Sequence, residues 1–373
     1  MTILKELVTL SILTELSNLQ ELDLFQSSYN LSLSDGKINN FAVCKTLMVK
    51  IAHLEVGEFP ILLAPMEDVT DPPFRYLCKM FGADIMYTEF ISSEGLIRDA
   101  ARSVKKLDFS EFERPIGIQI FGHNIESMIK AAQYAEDSQP DIIDINYGCP
   151  VRKVVARGAG SGILNDIPKM VKMTDAVVKA TKLPVTVKTR LGYDNDHREI
   201  VDIAERLQDV GIKAITIHGR TRTMKSSEAA EWELIREVKN NTRMLIPVFG
   251  NGDVTSPQTA KHFKDNYGVD GLMIGRASYG NPWIFREIKH FIETGKLLNK
   301  PDISEKVRIC KLHLEKSLDW KGENRGIHEI RKHYGDYFKG LEHFKPFKIK
   351  LVSIENPDEI FETLNEIEAF YKS

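Results

Sequence analysis

Between residues 61 and 275 the chain repeats one pattern eight times. A short run rich in Ile and Val, nearly continuous in apolarity, is followed by a longer segment of helical periodicity. The runs are ILLAP (61–65), DIMYTE (84–89), PIGIQIF (115–121), DIIDIN (141–146), PVTVKTR (184–190), AITIHG (214–219), IPVFG (246–250) and GLMIG (271–275), with no hairpin turn between neighbours. Strands of a parallel sheet are buried on both faces and read this way. Their C-terminal ends, marked by Pro65, Glu89, Gln119, Asn146, Lys188, His218, Gly250 and Gly275, are spaced by 24, 30, 27, 42, 30, 32 and 25 residues. One βα unit takes about 30 residues, so the segment holds eight. An open doubly wound sheet is the rival, but eight is the barrel number, and no Gly-x-Gly-x-x-Gly follows the first run. The expected fold is α/β: a (β/α)8 TIM barrel over 48–293, then a linker and a small C-terminal helical bundle over 294–373.

Composition narrows the partners. The chain carries 50 Lys+Arg against 53 Asp+Glu, a net charge of −3, so any nucleic-acid surface has to be a local basic patch. With 42% hydrophobic and 28% charged residues it is an ordinary globular sequence. No run reaches the roughly 18 apolar residues of a spanning helix, and no membrane association is expected. Cys44, Cys78, Cys149 and Cys310 lack metal-ligand spacing, so no metal is expected, and their scarcity fits a cytoplasmic protein. Residues 1–47 stand apart. Leucines at three- and four-residue spacing in LKELVTLSILTELSNLQELDLF suggest an amphipathic helix, and a polar stretch follows before Met48 opens a new apolar pattern. Two readings fit: an accessory helix, or a start assigned upstream of a true start at Met48, the favoured one. Oligomeric state is not legible in the sequence.

Chemistry in such a barrel sits at the C-terminal ends of the strands. There the chain places Met66, Glu89, Gln119, Asn146, Lys188, Arg190, His218, Asn251 and Arg276. Lys188 and Gln119 lie inside otherwise apolar strands, where a lysine is rarely buried without a partner. FGNGD (249–253) and IGRASYGNP (274–282) put glycine-rich turns after strands seven and eight, the usual phosphate site of these barrels. Gly250, Gly252 and Gly275 admit a close backbone approach, and Arg276 adds a planar charge, so a phosphorylated ligand is expected. The longest step contains NYGCPVRKVVARGAGSGILND (146–166), a long loop over the mouth with Cys149 just past strand four. An unperturbed thiol is mostly protonated at neutral pH and suits a general acid; Arg152, Lys153 and Arg157 on the same loop would favour a thiolate nucleophile. Both roles are open on the residues alone.

Taken in order, LLAPMEDVTDPPFR, IQIFG, DINYGCPV, GAGSGILND, VKTRLG, IHGRTR, GNGD and IGR resemble the flavin-dependent tRNA-dihydrouridine synthases, most closely their bacterial B-type branch, over about 55–373. The resemblance implies FMN as cofactor, NADPH (or NADH) as electron donor, and reduction of the C5–C6 bond of D-arm uridines in tRNA. It implies Pro65 and Met66 at the flavin ring and Gln119 and Lys188 at its edge. His218, Asn251, Gly252, Asp253, Gly275 and Arg276 would hold the ring or the phosphate. Cys149 would be the proton donor, with Asn146 beside it. The cofactor set also includes Glu67, although the family usually has Pro-Met-Ala-Gly where Glu67 and Asp68 follow Met66 here; two added carboxyls would change the flavin's potential or meet a basic loop. The sixth loop, HGRTRTMKSSEAAEW, also departs from the usual Tyr-Lys-Gly segment.

In the family the C-terminal helices grip tRNA. Here RKHYGDYFKGLEHFKPFKIK (331–350) interleaves cations with aromatics, a composition suited to backbone contact plus base stacking, and equally to a basic face over an aromatic core. The expected RNA contacts are Lys332, Lys339, Lys345 and Lys348 on this region, Arg152 and Lys153 on the fourth loop, and Arg190, Arg220 and Arg222 at the mouth. Two other enzymes compete: an FMN reductase of a free pyrimidine or other small molecule, and a Schiff-base aldolase using Lys188.

Overall fold

The computed structural model describes residues 48–372 and two short strands before them, Leu33–Ser34 and Lys37–Ile38, paired antiparallel. The expected N-terminal helix, Cys44 and the extension up to residue 47 otherwise lie outside the described residues.

The eight expected strands are all present: β1 (Ile61–Leu63), β2 (Met86–Tyr87), β3 (Ile116–Phe121), β4 (Ile142–Asn146), β5 (Val185–Arg190), β6 (Ala214–His218), β7 (Val248–Asn251) and β8 (Gly271–Ile274). Each pairs in parallel with the next from β2 to β8, and β8 pairs with β1. The ring closes through a parallel bridge between Leu62 and Ile85. A ninth strand, Ile91–Ser92, adds to β3 and was not apparent in the sequence. Its two residues are too few to show a period.

The pleat sorts the side chains. One set packs outward against the helices in a large core that includes Ile61, Ile118, Ile143, Ile145, Val187, Ile215 and Ile217. The other set faces inward. At the N-terminal end of the barrel it is apolar, with Leu62, Ile85, Ile142, Ala214 and Phe249, and the hairpin Lys50–Ile51/Leu54–Glu55 plugs it with Ile51 and Val56. Further along, the inward set becomes polar: Thr186 lies beside Asp144, Lys188 beside Asn146 and His218 beside Asn251. The buried strand sequence and the polar strand tips thus arise from one alternation.

The last four helices, Ile303–Lys321, Glu323–Tyr337, Lys345–Ser353 and Pro357–Lys372, build a second core. Leu77, Phe81 and Trp283 of the barrel belong to it. Tyr334, Tyr337, Phe338 and Phe344 are buried there. This decides between the two readings of these rings: they recur at helical spacing because they are core, and they are closed to bases. Lys332, Lys339, Lys345 and Lys348 remain exposed, as the alternative of a basic face over an aromatic core requires. Among the described residues, no helix is long and apolar enough to cross a membrane.

Candidate active site

A cavity of about 1470 Å³ opens at the C-terminal ends of the strands. Pro65, Met66 and Glu67 line it from the loop after β1, Asn146 and Cys149 from β4 and its loop, and Lys188 from β5. His218, Asn251, Gly252, Asp253, Gly275 and Arg276 complete the opposite side. Of the cations expected at RNA, Arg190, Arg220, Arg222 and Lys339 also line the cavity; Arg152, Lys153, Lys332, Lys345 and Lys348 do not.

Cys149 is held by backbone on both sides. Its N–H and that of Gly148 donate to Asn146 Oδ1 at 2.9 Å. Its carbonyl accepts from the Ser161 hydroxyl at 2.8 Å and the Ser161 N–H at 3.0 Å. Burial pushes the thiol up, against the smaller pulls of the Val151 N–H, Arg190 and Lys188. The thiol is therefore protonated at neutral pH, the state a general acid needs and a nucleophile does not. Arg152 and Lys153 are exposed and are not among the groups acting on it.

Across the cavity, Lys188 Nζ donates to Asn251 Oδ1 at 3.2 Å, while Asn251 Nδ2 donates to the Met273 carbonyl at 2.8 Å. Burial, helped by the Arg190 charge, pulls the Lys188 ammonium down to about 8. Burial also holds the His218 imidazole well below its usual range, with the Lys188, Arg190 and Arg220 charges acting the same way. It is neutral, and Nε2 accepts from Arg220 Nη1 at 3.0 Å, so the ring proton sits on Nδ1.

Two of the cations expected at RNA are packed into the cavity wall. Only 2% of Arg220 is exposed. Its guanidinium pairs with both oxygens of Asp253 at 2.7 Å and donates to the Glu228 carbonyl. It braces the sixth loop from within. Arg190 is likewise 7% exposed, with Nε on the Gly148 carbonyl at 2.7 Å and Nη1 on the Thr221 carbonyl at 3.0 Å. It joins the fourth and sixth loops in the cavity wall. Asp253, expected at the phosphate, reaches Arg276 Nη2 at 3.4 Å as well as Arg220. Despite burial, these arginines keep its carboxyl low, so it aims cations and cannot itself welcome an anion. Gln119 does not line the cavity. Its amide lies one layer beneath, donating to Asp144 at 2.6 Å and accepting from Asn146 at 2.7 Å.

The residues nonetheless fit a flavin mononucleotide. Ala64, Met66 and Met273 give an apolar wall, and Lys188 and the His218 Nδ1–H give donors for a polar ring edge. Gly252 has φ +122° and lies against the His218 ring. A Cβ at Gly275 would project onto Met66 and Ala64, so bare backbone borders the cavity beside Arg276. Glu67 meets Lys106 at 2.6 Å and Arg102 at 3.2 Å, and Arg102 also holds Asp68. With Glu89 these carboxylate oxygens lie within 4.8 Å of one another. The added carboxylates are thus matched by cations of the 101–106 segment, which the sequence reading missed. Also missed was Asp144, although a charge inside DIIDIN is the same signal that singled out Lys188.

The family model for dihydrouridine synthase matches residues 62–373. A probable tRNA-dihydrouridine synthase of Rickettsia conorii is 37% identical over 327 residues, 87% of this chain and 97% of that protein. The tRNA-dihydrouridine synthase B of Shewanella oneidensis is 41% identical over 288 residues, 76% and 89% of the two chains, and that of Pseudomonas aeruginosa 38% over 298, or 80% and 89%. Among solved structures, a 2-naphthoyl-CoA reductase complex shares the fold with TM-score 0.54 at 10% identity, over 66% of this chain and 52% of that one. The chain belongs to the dihydrouridine synthase family, with B-type members among its relatives.

Proposed function

We propose that the protein is a tRNA-dihydrouridine synthase, an oxidoreductase that reduces the C5–C6 double bond of D-arm uridines with FMN as cofactor and NADPH (or NADH) as donor. A protonated, buried thiol facing a lysine and a glycine-arginine turn across one cavity carries this reading. The flavin, when bound, supplies hydride to C6 of the uracil. Gly252, Gly275 and Arg276 would hold its phosphate, Pro65 and Met66 its ring, and Lys188, Asn251 and His218 its polar edge. Cys149 gives its proton to C5, and Asn146 holds the turn that carries it. Lys188 keeps a positive charge at a half-buried place in the wall, where electrostatic stabilisation is stronger than in open water. Gln119 supports Asn146 from below.

The uridine has to leave its stack to enter the cavity, at a cost of a few kcal/mol. Exposed Lys332, Lys345 and Lys348, with Lys339 and Arg222 at the rim and Arg152 and Lys153 on the fourth loop, offset that cost through the tRNA backbone. In this reading 48–293 is the catalytic barrel, 294–373 the tRNA-gripping region, and the cytoplasm its compartment. The depressed Lys188 ammonium is also what a Schiff-base aldolase requires; borohydride trapping of a carbonyl substrate on Lys188 would favour that rival. The deciding test is a visible absorption scan of the purified protein, then NADPH-dependent dihydrouridine formation on tRNA lacking the modification. A colourless protein that forms no dihydrouridine would overturn the proposal.

A further inference from the structure

Beneath the cavity, strand register sets three polar side chains abreast: Gln119 on β3 beside Asp144 on β4, and Asp144 beside Thr186 on β5. All three are buried. Asp144 accepts on both oxygens, Oδ2 from Gln119 Nε2 at 2.6 Å and Oδ1 from the Thr186 hydroxyl. Gln119 Oε1 accepts from Asn146 Nδ2 at 2.7 Å. Asn146 Oδ1 then accepts the N–H groups of Gly148 and Cys149, each at 2.9 Å. An unbroken chain of hydrogen bonds runs from a carboxylate to the peptide that bears the thiol.

A side-chain amide offers a donor at one end and an acceptor at the other, and it can turn over. Two amides in series therefore have two possible directions unless an end decides between them. Here both ends decide. Backbone N–H groups only donate, so Asn146 faces them with oxygen. An ionised carboxylate only accepts, so Gln119 faces it with nitrogen. The two demands select the same direction.

We infer that Asp144 is a positioning residue for the reaction, its carboxylate setting the polarity of the Gln119–Asn146 relay that holds the Gly148–Cys149 turn and its thiol over the cavity. The catalytic consequence rests on Cys149 as proton donor; the relay itself does not. Burial raises the Asp144 carboxyl to about 6, with the Gln119 and Thr186 hydrogen bonds and the Lys188 charge pulling the other way. An apolar residue at 144 would avoid that cost, but would leave only the backbone end to fix the direction and the buried Gln119 Nε2 without its acceptor.

A carboxylate swap tests the relay. Asp144→Asn keeps the size of the side chain and removes its acceptor-only character. If the new amide nitrogen faces Gln119, the relay reverses and Asn146 Nδ2 opposes two backbone N–H groups. If it faces Thr186, the hydroxyl that donates to residue 144 must accept instead, and its own buried proton needs a new acceptor. Gln119→Glu alone sets one carboxylate against another. The double variant moves the acceptor-only group one place along: the amide at 144 donates to the carboxylate at 119 and accepts from Thr186, and Asn146 keeps its direction.

The readout is the rate of Cys149 alkylation by iodoacetamide in the purified, flavin-loaded protein, followed by peptide mass spectrometry. Cys149 is 6% exposed and lines the cavity, so its rate reports how tightly the turn holds the thiol, and Cys78 and Cys310, at 0%, give an internal baseline. Each single variant should speed alkylation by roughly tenfold or more, and the double variant should return towards the wild-type rate. Wild-type alkylation of Asp144→Asn, or a double variant as fast as the singles, would refute the relay. So would a double variant that fails to fold, because every donor in it is matched. If instead Cys149 were not the acid, Cys149→Ala would make normal dihydrouridine while these alkylation rates stood, so the two failures are distinguishable.

Discussion

Replacing Lys188 by methionine should make the protein more stable and less able to use a flavin. The side chain keeps its length and loses its charge. Burial and the neighbouring Arg190 lower the ammonium from 10.5 to about 8. At about 1.36 kcal/mol per unit, the folded protein carries this cation at a cost of at most about 3.4 kcal/mol. The long hydrogen bond to Asn251, 3.2 Å, returns about 1 kcal/mol. Lys188→Met should therefore gain about 2 kcal/mol at pH 7, roughly 2.5 °C in Tm for a chain of this size. The pH dependence follows from linkage. Below pH 8 the folded lysine is charged and the cost is full. From there up to 10.5 the unfolded chain binds a proton that the folded protein does not, so wild-type stability rises with pH and the gap closes. Thermal melts of the two flavin-free proteins by circular dichroism at pH 7 and pH 10 measure this. A variant that melts lower at pH 7, or a gap that does not narrow by pH 10, would refute the assignment of Lys188 as a half-buried cation held for function.

Three further outcomes are expected. Cys149→Ala should stay yellow and be reduced by NADPH normally, but lose about 10²–10⁴-fold in tRNA-dependent flavin reoxidation measured by rapid mixing; a wild-type rate would place the proton donor elsewhere. Arg276→Ala should weaken flavin retention by about 1.5–3 kcal/mol, the worth of a charge-assisted phosphate contact, and equal occupancy after identical dialysis would move the phosphate away from the β8 turn. Replacing exposed Lys345 and Lys348 by alanine should flatten the slope of log K against log salt for tRNA by roughly 1.5 while leaving NADPH oxidation intact; an unchanged slope would put the RNA footprint on another face.

The barrel was legible because burying a parallel strand on both faces leaves an uninterrupted apolar run, and eight such runs at βα spacing allow few other folds. The cavity lining was legible wherever a polar residue closes such a run, as Asn146, Lys188 and His218 do. Depth was not. Gln119 and Asn146 both point inward, and nothing in a period of two says that one lies a layer below the other. Arg220 reads as a surface cation until Asp253, 33 residues later, is seen to meet it inside the sixth loop. The aromatic residues of 334–344 stay undecided in the sequence for a related reason: rings at helical spacing fit a stacking platform and a core equally well, and only Trp283 and Phe81 arriving from the barrel decide between them.

That shared core bears on how such a chain can be taken apart. The C-terminal helices carry most of the exposed lysines assigned to tRNA, which invites treating them as a detachable reader. Yet Leu77, Phe81 and Trp283 are bricks of the same wall, and Lys321 forms a buried ion pair with Asp71 at the start of the first barrel helix. Grafting the helices of a relative onto this barrel would transplant one half of a lock. A chimera exchanging only residues after 294 should misfit at that seam, whereas one that also exchanges positions 71, 77, 81 and 283 should assemble. Target choice and catalytic barrel are thus bound to change in step, and specificity in this architecture is inherited as a joint.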